Sequence, residues 1–308
     1  MVTLRDDSEL SRLNARAGRP TVVSDETALL VQRSVWAWHA TSGLFDPTVL
    51  DAVMDAGYDR SFESIETTGI VDSAGLTGRT QGGPTTIATH DPARRGWSTP
   101  GCEEVVVDPR TNLVVLPTGV RIDAGGIGKG LAADLTATQA VASGATSALV
   151  SLGGDLRVAG EPPVGGWEVE VDHHLADPAR INLRAGALAT SSVLRRRWAT
   201  PRGTAHHTID PRTGESSTGD AVAVSVVAGE AWWAEALSTA ILVGYDTLGD
   251  RIEEMLRSAG ALVTSTDGSQ HTFGSAGHAF LTSSEAPPGI EPCDYTDGRH
   301  DTHGRASA

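Results

Sequence analysis

The chain has 308 residues, of which 39% are apolar, and its 39 acidic and 24 basic side chains give a net charge of −15. This length and apolar share allow a substantial core in one large domain or two small ones. The negative charge argues against a primary role on nucleic acid or an anionic membrane, because both require a basic surface. No segment approaches the roughly 20 apolar residues of a membrane span, so neither kind of partner is expected.

The cysteines and the first residues bear on location. Cys102 and Cys293 form no CxxC spacing, and they define no disulfide framework. Residues 1–7 lack the apolar stretch of a secretory signal. We therefore expect a cytoplasmic protein if Met1 is the true start of the chain.

The first third of the chain predicts a helix, a loop region and a hairpin. Residues 25–40 have an apolar face and a capping residue at Ser24, which is typical of a helix. Residues 62–100 are rich in Gly, Thr, Ser and Pro without periodicity, which indicates a loop or insert. Two β-branched runs, 103–107 and 113–116, flank an Asp-Pro turn and predict a hairpin.

The rest of the chain alternates strands and helices irregularly, which predicts an α+β fold. The predicted strands are residues 120–123, 147–152, 167–171, 181–183, 205–214 and 221–228. The predicted helices are residues 131–143, 230–243 and 251–258, the second of them stopped by Gly244. From Ser283 onward the composition predicts a disordered tail.

A glycine-rich turn at 123–130 is the first candidate site. Asp123 is followed by Ala-Gly-Gly-Ile-Gly-Lys-Gly and a helix, so backbone amides and the mobile cation of Lys129 are available to a diphosphate. The string matches neither the P-loop nor the GxGxxG fingerprint. It is equally consistent with a tight strand–helix connection. Asp123 is either a ribose or base contact or a cap of the turn.

Glu235 and Thr239 form the second candidate site. They lie four residues apart on a predicted helix and therefore project from one face. A carboxylate and a hydroxyl are hard oxygen ligands that suit Mg²⁺. Pairs with this spacing are also common on helices that bind nothing, so the residues alone favour that reading.

The histidine pair is the third candidate site. His206 and His207 face opposite sides of a predicted strand, so only one can enter a given site, where it can act as a general base. A Ser-His-Asp hydrolase using Ser191 or Ser192 is disfavoured because no GxSxG elbow surrounds them. The basic run at 195–197 is either an anion-steering site or a solvated face.

Taken in order, seven strings resemble the ApbE family of FAD:protein FMN transferases across most of residues 1–282. They are DSELSRLN at 7–14, SGLFDPTV at 42–49, DAGGIGKGLAAD at 123–134, ALVSLGGDLR at 148–157, ATSS at 189–192, HTIDPRTG at 207–214 and AEALSTA at 234–240. Each string is weakly specific, whereas the ordered set is highly specific. The resemblance implies a single α+β catalytic domain of mixed sheets flanked by helices over residues 1–283, with a disordered tail over 284–308.

The resemblance also implies a chemistry and roles for ten residues. Such enzymes use Mg²⁺ to split FAD, attach FMN to a threonine or serine hydroxyl of an acceptor flavoprotein, and release AMP. His207 would be the catalytic base. The FAD site would comprise Leu44, Phe45, Asp46, Asp123, Lys129 and Ile209. The metal would be held by the carbonyl of Gly126 and the side chains of Glu235 and Thr239. The resemblance thus favours metal binding by Glu235 and Thr239, whereas their spacing alone favours a pair that binds nothing.

Two departures from the family pattern leave alternatives open. The family usually has Asp where this chain has Glu235, and the extra methylene displaces the carboxylate. The chain also begins almost at the 7–14 string, without the opening strand and helix that usually precede it, and Leu4 stands where an aromatic residue is common. The alternatives are an FAD carrier without turnover and a pyrophosphatase that cleaves FAD to FMN and AMP with water.

Overall fold

A computed structural model describes residues 7–58, 99–200 and 203–280. The predicted loop region at 62–100 and the predicted tail therefore lie almost wholly outside the described residues. Within these ranges the α+β class is confirmed, and all strand pairs are antiparallel. No described helix has the length and apolarity needed to cross a bilayer.

The amino-terminal part combines three helices with a small sheet. Its helices are α1 (Glu9–Ala15), α2 (Asp25–Ala40) and α3 (Leu50–Asp55), the last preceded by a 3₁₀ turn at Pro47–Val49. Its strands are β1 (Thr21–Val22), β2 (Val106–Asp108) and β3 (Leu113–Val115), in the order β1-β3-β2. The predicted helix and hairpin are thus present. Ser24 caps α2 by accepting a hydrogen bond from the amide of Thr27 at 3.2 Å.

The larger part is built on a six-stranded sheet in the order β15-β14-β13-β8-β5-β4. These strands are β4 (Ser147–Leu152), β5 (Asp155–Gly160), β8 (Gly186–Ser192), β13 (Ala221–Ala228), β14 (Gly260–Ser265) and β15 (Gln270–Phe273). The helices of this part are α4 (Gly128–Ala142), α5 (Ala231–Leu248) and α6 (Arg251–Met255). A 3₁₀ turn, Gly277–Phe280, ends the described chain.

Three short hairpins complete the fold. Their strands are β6 (Trp167–Val171) with β7 (Ala179–Leu183), β9 (Arg197–Thr200) with β10 (Gly203–His206), and β11 (Ile209–Asp210) with β12 (Glu215–Ser216). The predicted strand at 205–214 is therefore two strands separated by His207 and Thr208.

The six-stranded sheet is covered on both faces. Strand β13 is buried along its whole length, and its alternate side chains face opposite layers. Val224 and Val226 pack with α5, which carries the largest apolar cluster, including Leu237 and Ile241. Val227 points the other way and packs under the β6–β7 hairpin. The fold is therefore a helix layer, a sheet and a hairpin layer.

Two predictions fail at places where the chain makes a contact distant in sequence. Residues 120–123 are not a strand, since the backbone of Ile122 is bonded to the side chain of Asn14 through both its amide (2.8 Å) and its carbonyl (2.9 Å). Helix α5 continues past Gly244 to Leu248. Gly244 instead allows close packing, because a Cβ there would lie 2.6 Å from a methyl carbon of Leu44.

Candidate functional site

The residues predicted from the sequence converge on one pocket of about 1050 Å³. This volume slightly exceeds the range of about 300–1,000 Å³ that is common for small-molecule pockets. The ten predicted residues that line it are Leu44, Phe45, Asp46, Asp123, Gly126, Lys129, His207, Ile209, Glu235 and Thr239. The fold thus brings all ten together from four separate segments, while their individual roles stay predictions.

The glycine-rich turn lines the pocket and leads into α4. This helix begins at Gly128 rather than at the predicted Leu131. Asp123 accepts a hydrogen bond from the amide of Gly125 at 3.0 Å, so it does cap the turn while lining the pocket. Burial raises the pKa of Asp123. Gly130 has a packing role, because a Cβ there would lie 2.3 Å from the carbonyl oxygen of Ala231.

Lys129 is not the free cation that the sequence predicts. Its ammonium forms ion pairs with Glu235 and, at 2.6 Å, with Oδ2 of Asp155. Glu235 also accepts a hydrogen bond from the amide of Gly130 at 2.8 Å. Burial raises the pKa of Glu235, and the positive charge of Lys129 reduces this rise. Burial alone would lower the pKa of Lys129, but the two carboxylates together outweigh it and raise that pKa.

The three predicted metal donors lie on one side of the pocket. Glu235 and Thr239 are one helical turn apart on α5, and a Cβ at Gly126 would lie 3.5 Å from the hydroxyl of Thr239. All three supply hard oxygens, so the donor set fits Mg²⁺. The described residues contain no cluster of three or more His, Cys, Asp or Glu side chains suited to a metal ion. Any cation here would therefore depend on this mixed set.

Asp46 lines the pocket, but its carboxylate is already committed to the protein. Its Oδ1 accepts hydrogen bonds from the amide and the hydroxyl of Thr48, at 2.7 and 2.6 Å. Its Oδ2 accepts from the indole of Trp38 at 3.2 Å and from the hydroxyl of Thr99. Asp46 therefore shapes the loop that presents Leu44 and Phe45 to the pocket.

Of the two adjacent histidines, His207 lines the pocket, although it lies between two strands and not on the single strand that the sequence predicts. Its neighbour His206 points elsewhere and contacts the carbonyl of Ser217 at 2.9 Å. Burial and the adjacent His206 hold the pKa of His207 well below its usual value, so its ring is neutral near pH 7. Its Nδ1 is buried and has no hydrogen-bond partner among the described residues. A neutral imidazole facing a pocket can accept a proton.

Two further residues that contact the predicted site were not assigned from the sequence. Asp155 does not itself line the pocket but pairs with Lys129, which does. It follows the Gly153-Gly154 turn, and this acid at the start of a strand was the available signal. The hydroxyl of Ser191 contacts the hydroxyl of Thr239 at 3.0 Å. Arg195 also lines the pocket and contacts His174 at 2.6 Å, and a role in steering anions stays a prediction.

Comparisons with known proteins give a consistent family. The model of the ApbE family matches residues 1–263. "FAD:protein FMN transferase" of Vibrio cholerae is 25% identical over 273 residues, covering 87% of this chain and 75% of that protein. The protein of the same name from Treponema pallidum is 29% identical over 268 residues, covering 79% and 67%.

Solved structures agree with this result. The crystal structure of the ApbE protein from Thermotoga maritima superposes with a TM-score of 0.69 at 26% identity, covering 86% of this chain and 81% of that one. The flavin transferase ApbE from Vibrio cholerae shares the fold, with a TM-score of 0.67 at 24% identity and coverage of 91% and 85%. Because the family model spans well over half of its length, this chain belongs to the ApbE family.

Proposed function

We propose that this chain transfers FMN from FAD onto a threonine or serine hydroxyl of an acceptor flavoprotein, in a Mg²⁺-dependent reaction that releases AMP. Flavin transfer itself is the activity named for its relatives. The observation that carries the finer proposal is one pocket lined by a neutral imidazole, a buried carboxylate and the first turn of α4.

The residues of the chain have distinct parts in this reaction. Leu44, Phe45 and Ile209 supply apolar surface on which a flavin ring can lie. The amides of Gly125, Gly128 and Gly130 donate within the protein, so they are not the free donors that the sequence predicts. The partial positive charge at the amino end of α4 still favours a diphosphate. The apolar surface and this helix end orient the phosphorus bonded to the FMN portion.

His207 takes the proton of the acceptor hydroxyl as its oxygen attacks that phosphorus. The bond between the FMN phosphorus and the bridging oxygen breaks, and AMP leaves with that oxygen. The carbonyl of Gly126 and the side chains of Glu235 and Thr239 would hold Mg²⁺, whose charge offsets that of the diphosphate when it is bound.

The test incubates the full chain with FAD, Mg²⁺ and a purified acceptor flavoprotein, and follows covalent flavin fluorescence of the acceptor on a denaturing gel. We expect a fluorescent acceptor band that needs all three components. Tight FAD retention without AMP release would instead support a carrier, and AMP release without acceptor would support a pyrophosphatase.

A matched pair of histidine variants tests the role of the base. His207→Asn removes the proton acceptor, and we expect labelling to slow by about 10²- to 10⁴-fold. His271→Asn alters an exposed histidine on β15 that does not line the pocket, and we expect wild-type rates. Equal rates for the two variants would contradict His207 as the base.

A further inference from the structure

One ammonium group at the wall of the pocket lies between two buried carboxylates, of which Glu235 lines the pocket and Asp155 does not. Lys129 pairs with Glu235 and Asp155, whose side chains are only 3% and 2% exposed. No other cationic side chain contacts either carboxylate in residues 7–58, 99–200 and 203–280. Counted as formal charges, the cluster has two negative groups for one positive group in a desolvated site, and such an excess is costly to maintain.

The same carboxylate cannot serve Lys129 and a divalent cation equally well. Oε1 of Glu235 faces the ammonium and Oε2 accepts the amide of Gly130, so both oxygens are engaged. A cation held by Glu235 would lie beside the charged ammonium. Repulsion between such charges is strong at short distance in a buried site.

Asp155 gives Lys129 a second anchor. Its Oδ2 is already 2.6 Å from the ammonium, and its Oδ1 is fixed by the amide of Thr190 at 3.2 Å. The side-chain stem of Lys129 lies against Gly153, where an added Cβ would be 3.1 Å from Cδ of the lysine. Gly153 has a φ of +61°, so this turn suits glycine and leaves space for the stem.

We propose that Lys129 is an internal cation that competes with Mg²⁺ for Glu235, and that Asp155 is a positioning residue that retains Lys129 when Mg²⁺ takes Glu235. This inference rests on the Mg²⁺ site of the proposed function. With Lys129 kept on Asp155, the loaded cluster carries a net positive charge. Mg²⁺ binding thereby turns a net negative cluster into one that attracts a diphosphate.

The test titrates Mg²⁺ alone into the purified chain by calorimetry, with neither FAD nor acceptor present. Lys129→Met removes the competing charge, and we expect Mg²⁺ to bind about tenfold more tightly than to the wild type. Lys129→Arg keeps the charge and should give no such gain. If the methionine variant fails to fold, Lys129→Gln replaces it with the same expectation. Unchanged or weaker Mg²⁺ binding in the uncharged variant would overturn the proposal.

A double-mutant cycle tests the role of Asp155. Asp155→Asn removes the second anchor, so we expect a larger loss of Mg²⁺ affinity when Lys129 is present than in the Lys129→Met background. If Asp155→Asn weakened Mg²⁺ binding by the same factor with and without Lys129, Asp155 would not act through Lys129. A wild-type chain that binds no Mg²⁺ would refute both this proposal and the metal site. Wild-type binding that Glu235→Gln abolishes, without a gain in Lys129→Met, would refute the competition alone.

Discussion

At the scale of single residues, the sequence predicted which side chains line the pocket but not which hydrogen bonds and ion pairs they form. The spacing of Glu235 and Thr239 on one helix face was readable, and both do line the pocket. The ion pair of Lys129 with Asp155 and the hydrogen bond from Thr48 to Asp46 could not be predicted from the sequence. Lys129 and Asp155 are distant in sequence, and for Asp46 no pattern distinguishes a carboxylate that binds a ligand from one that orders its own loop.

Glu235 is the residue at which the family departure can be tested. Glu235→Gln removes the charge that is proposed to hold Mg²⁺, so we expect Mg²⁺-dependent transfer to fall at least about 10²-fold. Glu235→Asp restores the usual family residue, and we expect activity within about tenfold of the wild type. The measurement is the initial rate of acceptor labelling over a Mg²⁺ titration. Equal activity of wild type and Glu235→Gln would contradict Glu235 as a metal ligand.

At the scale of elements, local patterns predicted α2, α4, α5 and α6 but only β4 and β13 of the six-stranded sheet. They also did not predict where helices touch. The runs forming α2, β4, β6 and β13 were read correctly because their periodicity and caps are local. Gly244 looked like a helix stop and is instead a packing position within α5. The two short helices α1 and α3 were missed because neither is long enough to show a clear period.

The contact between α4 and α5 gives a prediction on stability. In an open helix, Gly→Ala is stabilising by about 0.5–1 kcal/mol. At Gly130 the added Cβ meets the backbone of Ala231 at 2.3 Å, so the helices must separate. We expect Gly130→Ala to lower the free energy of unfolding by about 1–3 kcal/mol or more, as measured by urea denaturation.

Gly244→Ala is the matched comparison for this prediction. The added Cβ there would meet the ends of the Leu44 and Leu248 side chains, at 2.6 and 3.2 Å, and these can rotate away. We therefore expect a smaller loss of stability at Gly244 than at Gly130. The reverse order would show that the helix contact tolerates the extra methyl group.

At the scale of the whole molecule, buried histidines predict how stability depends on pH. Burial lowers the pKa of both His173 and His206 to about 4. His173 is held between the hydroxyls of Thr264 and Ser225, at 2.7 and 2.8 Å. Because the unfolded chain takes up these protons near pH 6.5 and the folded chain near pH 4, stability falls as pH falls through that window.

The size of the effect is measured with two neighbouring histidines. Between pH 7.5 and pH 5 we expect His173 to account for a loss of about 2 kcal/mol, which His173→Gln should remove. His174→Gln alters the next residue, whose side chain is 45% exposed, and should leave the loss intact. Burial raises the pKa of Asp134 to about 6, so its protonation increases stability as the pH falls. The free energies of unfolding of the two variants, measured by urea denaturation, are therefore compared with each other. Identical pH profiles for both variants would contradict a buried neutral His173.

The central claim is that the pocket moves FMN from FAD to a protein hydroxyl rather than to water. The most direct measurement combines the intact mass of the acceptor with chromatographic quantification of AMP from the same reaction. We expect one AMP released for each FMN attached, and neither product when Mg²⁺ is removed by a chelator. AMP accumulating beside an acceptor of unchanged mass would contradict it.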